Sequence, residues 1–211
     1  MPAQIRVLAG VNGAGKSSIV GATIRDKGGE YYNPDEAARE IMAANPGLDQ
    51  TEANATAWEQ GRRLLQRAID ERLDFTFETT LGGNTIPALL AEAANCGIEV
   101  SVFYVGLGSA DAHIERVRQR VRGGGHDISE ADIRRRWRHS LINLVTLLPT
   151  LSELLVYDNS ETADPATGQT PKPVLVLHMQ RGRIVGPSDL TSTPAWAKPI
   201  VAAALELAPG P

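Results

Sequence analysis

The chain has one cysteine, Cys96, in 211 residues. That excludes an internal disulfide framework and any zinc site built on several thiolates, and it suits a reducing compartment. A thiol buried in the core is the expected role for Cys96. Aromatic residues are scarce, at 5%, which leaves few platforms on which a single-stranded nucleic acid could stack its bases. Basic side chains do not outnumber acidic ones, 21 against 25, for a formal net charge of −4. A surface that binds nucleic acid all round by counterion release is therefore not expected, although basic residues can still cluster locally. No apolar run approaches a membrane-spanning length, and no basic stretch followed by an apolar one precedes the first strand-like run. The expectation is a cytoplasmic protein with no membrane and no nucleic-acid partner.

Against this background one segment stands out: Gly10-Val11-Asn12-Gly13-Ala14-Gly15-Lys16-Ser17. It follows the apolar run Ile5-Arg6-Val7-Leu8-Ala9 and opens a stretch in which Ile19, Val20 and Ile24 are spaced for a half-buried helix. This is the setting of a phosphate-binding P-loop. Glycines let the backbone curl so that the N–H groups from Asn12 through Ser18 can face a polyphosphate, and the following helix adds its positive end. Lys16 would reach the β- and γ-phosphates, and Ser17 would hold Mg²⁺.

Short apolar runs alternate with longer helical patterns, the mark of an α/β fold with a doubly wound, mostly parallel sheet. Strands are expected near 4–9, 30–33, 74–78, 98–105 and 153–158, and helices near 15–26, 34–44, 51–73, 85–96, 109–122 and 129–148. Within 51–73, the residues Trp58, Leu65, Ala68, Ile69 and Leu73 form an apolar stripe expected to face the core. Residues 159–173 are rich in turn formers and read as a surface loop. Val174–His178 and Arg183–Val185, joined through Gly182, read as a β-hairpin able to extend the sheet edge. A short apolar helix pattern follows from Pro194 to Leu207, and the Pro-Gly-Pro end reads as disordered. The length fits one globular domain: a core over 1–160 with an arginine-rich lid at about 109–140, and a loop, hairpin and tail over 161–211 packed on it.

In such a sheet the productive crevice lies beyond the carboxyl ends of the parallel strands. After the second strand comes Asn33-Pro34-Asp35-Glu36. Asp35 could accept the proton of an attacking hydroxyl, as phosphoryl transfer requires. The same four residues also make a good helix start, with Asn33 as N-cap, Pro34 in the first position and two acids on the dipole. After the third strand, Glu78, Thr79 and Thr80 set a carboxylate and two hydroxyls at a strand end. Glu78 there could hold a substrate hydroxyl or orient water on Mg²⁺, or it could be solvated in a plain turn.

Eight arginines fall between Arg116 and Arg138. Apolar Ile114, Val117 and Val121 put Arg116 and Arg120 on one flank of a helix and Arg118 and Arg122 on the other. Gly123-Gly124-Gly125-His126 breaks that helix. Ser129 and Asp132 then cap another, which carries Arg134, Arg135, Arg136 and Arg138 near its start. Two arginine-bearing arms on a glycine hinge suit a lid that closes over a triphosphate, the alternative being two solvated faces with surface ion pairs. Tyr157-Asp158-Asn159-Ser160 ends the fifth strand, either beside an adenine or as a polar turn.

The P-loop, the Asn-Pro-Asp turn, the Glu-Thr-Thr strand end, the arginine-rich segment running into Gly-Gly-His and the Tyr-Asp-Asn-Ser strand end together resemble the zeta-toxin family of P-loop kinases, over about residues 4–160. The resemblance implies an ATP- and Mg²⁺-dependent kinase whose acceptor is a sugar hydroxyl of UDP-N-acetylglucosamine. It implies Lys16 and Ser17 as phosphate and Mg²⁺ ligands, Asp35 as general base, and Glu78, Thr79 and Thr80 on the acceptor. It also implies a pair of lid arginines, best matched by Arg120 with Arg134 or Arg135, and allows an antitoxin partner. The lid and the length differ from the larger members, so the acceptor is less defined than the reaction. Two other readings stay open: a nucleotide-dependent switch with weak ATPase activity, and a polynucleotide 5′-kinase.

Overall fold

The computed structural model describes residues 2–161 and 172–208. Residues 162–171 of the expected loop and the Pro-Gly-Pro end lie outside the described residues. A six-stranded sheet has the order β2-β1-β3-β4-β5-β6. Its strands are β1 Gln4–Ala9, β2 Phe75–Thr79, β3 Glu99–Gly106, β4 Glu153–Asp158, β5 Val174–Gln180 and β6 Arg183–Gly186. The first four are mutually parallel, and β5 and β6 run antiparallel at one edge. The hairpin extends the sheet as its sequence implied. Arg181 and Gly182 both take positive φ (46° and 75°), the twist that a two-residue hairpin turn requires.

Between the strands run α1 Ala22–Asp26, α2 Pro34–Ala44, α3 Gln50–Asp70, α4 Thr85–Asn95, α5 Ala110–Arg122 and α6 Glu130–Leu147, with α7 Lys198–Leu207 at the end. Because β1 lies between β2 and β3, the chain winds first to one side of β1 and then to the other. Such a reversal opens a crevice beyond the carboxyl end of β1. The core is built from both sheet and helices, with Ile5, Val102, Leu154 and Leu177 from strands and Leu90, Leu144 and Ile200 from helices all buried. A second cluster joins Val11 to Ile114, Val117 and Ile133. The arginine-bearing helices α5 and α6 are thereby packed on the loop that follows β1.

Three local expectations need correction. The strand over 30–33 shrinks to Tyr32, which bridges Phe77 in parallel. Asn33 and Pro34 start α2 at once, so only one residue is left to pair. In α3 the buried stripe runs through Ala53, Ala57, Gly61, Leu65, Ala68 and Ile69, while Trp58 and Leu73 are 46% and 43% exposed. The small residues let α2 and Tyr32 approach closely: a Cβ on Gly61 would sit 2.6 Å from Tyr32 Cε1. That turns Trp58 onto the flank. Leu73 falls beyond the helix end, after Arg72 at φ 54°. Cys96 is exposed and is no core thiol, because α4 ends at Asn95 and Cys96 is its C-terminal cap.

One buried polar contact offers a clean test of this packing. The Tyr104 hydroxyl lies 3.0 Å from Ser140 Oγ, joining β3 to α6 inside the core. Tyr104→Phe should cost about 1–3 kcal/mol in urea unfolding by stranding the serine. Adding Ser140→Ala should recover part of that loss; a double variant less stable than Tyr104→Phe would show the pair not to be coupled.

Candidate active site

Beyond β1 the chain must turn sharply, and two glycines allow it. Gly10 takes φ 137°, and a Cβ there would lie 2.2 Å from the Val105 carbonyl oxygen of β3. Gly15 takes φ 94°, and a Cβ there would meet the Asn159 side-chain nitrogen at 2.7 Å. Only glycine fits such a conformation and so close an approach. A π-helical turn, Ser17–Gly21, opens the helix that follows and leads into α1. Its positive end faces the loop.

Lys16 is 6% exposed. Its Nζ is 3.4 Å from Glu78 Oε1 and 3.4 Å from the Val11 carbonyl oxygen. Ser17 Oγ donates to Glu78 Oε2 at 2.7 Å. Glu78 is therefore no solvated turn residue. The parallel register that sets Leu8 beside Glu78 carries this carboxylate to the mouth of the loop. Ala14 and Asn12 are buried, whereas Ser18 is exposed and its hydroxyl donates to the Gly15 carbonyl at 3.1 Å. Thr79 and Thr80 line the same cleft, and their hydroxyl oxygens accept from the N–H groups of Leu81 and Gly82.

At the start of α2 the two readings of the Asn-Pro-Asp turn coexist. Asn33 Oδ1 accepts from the N–H of Asp35 at 2.9 Å and of Glu36 at 3.4 Å, so the side-chain cap is Asn33. The Asp35 carboxylate takes no part in it. It is half exposed, lines the cleft, and lies 3.7 Å from Arg120 Nη1. Glu36 turns away to Arg25.

The arginines divide by helix face. On α5, Arg116 donates to the Asn159 carbonyl at 2.6 Å, and Arg120 reaches Asp35 and the His126 carbonyl. Arg118 points to Glu130. On α6, the buried positions Ile133, Ser140 and Leu144 fix the rotation. Arg134 then pairs with Asp111 of α5 and does not line the cleft. Arg135 lines the cleft edge but is paired with Asp132 at 2.7 Å. Arg136 enters the loop mouth and donates to Asn12 Oδ1 at 2.8 Å. Gly82 makes room for it, since a Cβ there would lie 2.7 Å from Arg136 Cγ. Burial lowers the pKa of the Arg136 and Arg116 guanidinium groups below the ordinary arginine value. The resemblance points to Arg134 or Arg135 and not to Arg136, because the turn of α6 that admits Arg136 is set only by packing.

A cleft of about 590 Å³ lies between these elements; of the arginines, Arg135 and Arg136 line it, whereas Arg120 and Arg134 do not. Lys16, Asp35, Glu78 and Arg136 line it, as does the exposed indole of Trp58. Reading α3 as a plain core stripe had hidden Trp58; its place in the cleft depends on which flank the small residues bury. The hinge loop closes over the cleft through His126, whose Nε2 is 3.2 Å from Asn54 Nδ2 on α3.

The sequence match follows the same geometry, since a model of the Zeta toxin family covers residues 2–164. The chain belongs to the zeta-toxin family. An uncharacterized protein of Haemophilus influenzae is 30% identical over 128 residues, which is 61% of this chain and 88% of that one. The AvrRxo1-ORF1:-ORF2 complex with ATP superposes with a TM-score of 0.65 at 12% identity, over 87% of this chain. The match spans 60% of that neighbour's chain. The PezAT toxin-antitoxin system of Streptococcus pneumoniae gives a TM-score of 0.54 at 15% identity, over 75% of this chain and 68% of that one. The likeness to the solved structures concerns the fold. The family match and the α/β sheet around the P-loop agree with each other. No helix among the described residues is long and apolar enough to cross a membrane.

Behind the loop, His113 is buried with its Nδ1 2.9 Å from the Asn12 carbonyl. Burial holds its pKa down at about 4, with the charges of Lys16 and Arg116 acting in the same direction. The unfolded imidazole takes up its proton near pH 6.5 and the folded one only near pH 4. The unfolded state thus binds more protons between these values, and stability falls as the pH drops across that window, by up to about 3 kcal/mol. His113→Gln should flatten this part of a urea-midpoint profile measured from pH 7 to 4; an unchanged slope would contradict the assignment.

Proposed function

We propose that the protein transfers the γ-phosphate of ATP, with Mg²⁺, to a hydroxyl of a small-molecule acceptor, of which UDP-N-acetylglucosamine is the one that family likeness implies. The observation that carries this reading is the convergence of Lys16, Ser17 and Glu78 at the loop with Asp35 and Arg136 in one cleft. A triphosphate fits the residues present. The glycines let the loop curl with its backbone close against Val105 and Asn159, and a buried ammonium faces it beside a single carboxylate. The hydroxyl of Ser17 and the carboxylate of Glu78, already in contact, are hard oxygen donors of the kind Mg²⁺ prefers. Bound there, Mg²⁺ would neutralise charge on the phosphate oxygens.

The chain's own groups supply the rest. Lys16 and the loop N–H groups hold the phosphates, and Asp35 accepts the acceptor's hydroxyl proton as the new O–P bond forms and the bond to ADP breaks. Arg136, and Arg120 from the other arm, offset the charge that spreads over the transferring group. Trp58 gives the acceptor a flat apolar face on α3. A protein partner of antitoxin type belongs to the same proposal, because PezAT is a toxin-antitoxin system.

Pure protein with γ-labelled ATP and a panel of UDP-sugars, nucleosides and dinucleotides tests the reading; ATP hydrolysis alone would sink the transferase claim. Lys16→Ala should abolish nucleotide use. Asp35→Asn should keep its affinity for Mg-ATP and lose about a hundredfold or more in transfer. Equal losses in binding and transfer would make Asp35 a structural residue. Trp58→Ala should raise the acceptor KM about tenfold, the scale of one stacked ring, and leave the ATP KM as it was; a KM that does not move would remove Trp58 from the acceptor surface.

A further inference from the structure

The family match ends at residue 164, and β5, β6 and α7 lie beyond it. One side chain of that added unit reaches the nucleotide end of the sheet. The apolar face of α7, with Ile200, Val201 and Ala204, is buried in the main core, and this docking anchors Trp196, two residues before the helix. Trp196 is 5% exposed. Its ring covers Gly106 at the end of β3, where a Cβ would lie 2.3 Å from Cη2, and it packs beside Tyr104.

From the indole, hydrogen bonds to the turn at residues 158–160 and the backbone of that turn lead to the phosphate-binding loop. Trp196 Nε1 donates to Asp158 Oδ1 at 3.2 Å. The same oxygen accepts from the Ser160 N–H at 3.2 Å and from the Ser160 hydroxyl. Ser160 Oγ in turn accepts from the Gly108 N–H at 2.8 Å. Asn159, held between these two residues, donates its backbone N–H to the Gly106 carbonyl at 3.0 Å. Its carbonyl accepts from Arg116. Its side-chain amide is left pointing at the loop, where Nδ2 donates to the Ala14 carbonyl at 2.8 Å, directly over Gly15.

We propose that Trp196 is a positioning residue for the nucleotide-binding loop, so that the C-terminal unit sets the affinity for the donor nucleotide. The Asp158–Ser160 turn has the shape that aims Asn159 at Ala14, and the indole holds that turn from below by one hydrogen bond and by filling the space over Gly106. A loop whose carbonyls are already tied keeps its N–H groups aimed outward, and a ligand then binds without the cost of ordering them. The inference rests on the reading that the loop takes the donor nucleotide.

Trp196→Phe keeps an aromatic ring and removes the Nε1 donor. Titration calorimetry with Mg-ATP should show about a fivefold weaker Kd, the scale of one hydrogen bond. The ATP KM should rise alike, with the acceptor KM and the kcat at saturating ATP unchanged. A general loss of folded protein would instead lower kcat and leave both KM values in place. Asn159→Ala should weaken ATP at least as much, and the double variant should be no worse than Asn159→Ala alone, because both act through one contact. A wild-type Kd in Trp196→Phe, or losses that multiply in the double variant, would overturn the inference. Wild-type protein that gives no heat with Mg-ATP would overturn the nucleotide reading, and this inference with it.

Discussion

A buried ammonium needs an anion, and the arrangement of the whole cleft follows from how this chain supplies one to Lys16. Left alone at 6% exposure, the charge would cost several kcal/mol in lost hydration. Glu78 meets it from the neighbouring strand, and the same carboxylate accepts the Ser17 hydroxyl. The β1–β2 register makes the meeting possible, and the turn at Gly10 lifts Lys16 to the height of the strand end. The ammonium and the hydroxyl of the loop thus share one protein carboxylate. Under the proposed function, a polyphosphate and its metal would take over both roles.

The two arginine-bearing helices α5 and α6 are joined to this centre by packing as well as charge. Val11 of the loop shares a cluster with Ile114, Val117 and Ile133, so α5 and α6 cannot shift without disturbing the floor on which phosphates would rest. Within that constraint charge is distributed in pairs. Arg118, Arg134 and Arg135 spend their charge on nearby acids. Arg136 is held by a neutral amide oxygen and remains available to an anion. Desolvation of Arg136 makes it a stronger partner for phosphate than a solvated arginine would be.

Much of this was legible in the chain itself, and the misses share one cause. The P-loop, the cap at Asn33, the helix breaks and the hairpin turn depend on residues close in sequence, where sterics and local hydrogen bonds decide. Trp58, Cys96 and Arg134 were misplaced because each position depends on rotation or exact length of a helix. In α3 the alanines and Gly61 outweighed the larger apolar residues, since close helix approach rewards small side chains more than the apolar count suggests. Tyr32 remained a single bridge because Pro34 left no room for a strand.

The sequence by itself determined a phosphate-binding turn after the first strand, a parallel α/β order and two arginine-bearing helices around a glycine hinge, because each is written in short-range spacing. Only the tertiary structure decided which arginine enters the mouth of the loop, which carboxylate compensates the lysine, and that a tryptophan 180 residues downstream from Lys16 braces the loop. Those choices depend on strand register and helix rotation, and both are settled by the packing of segments that the chain order keeps far apart.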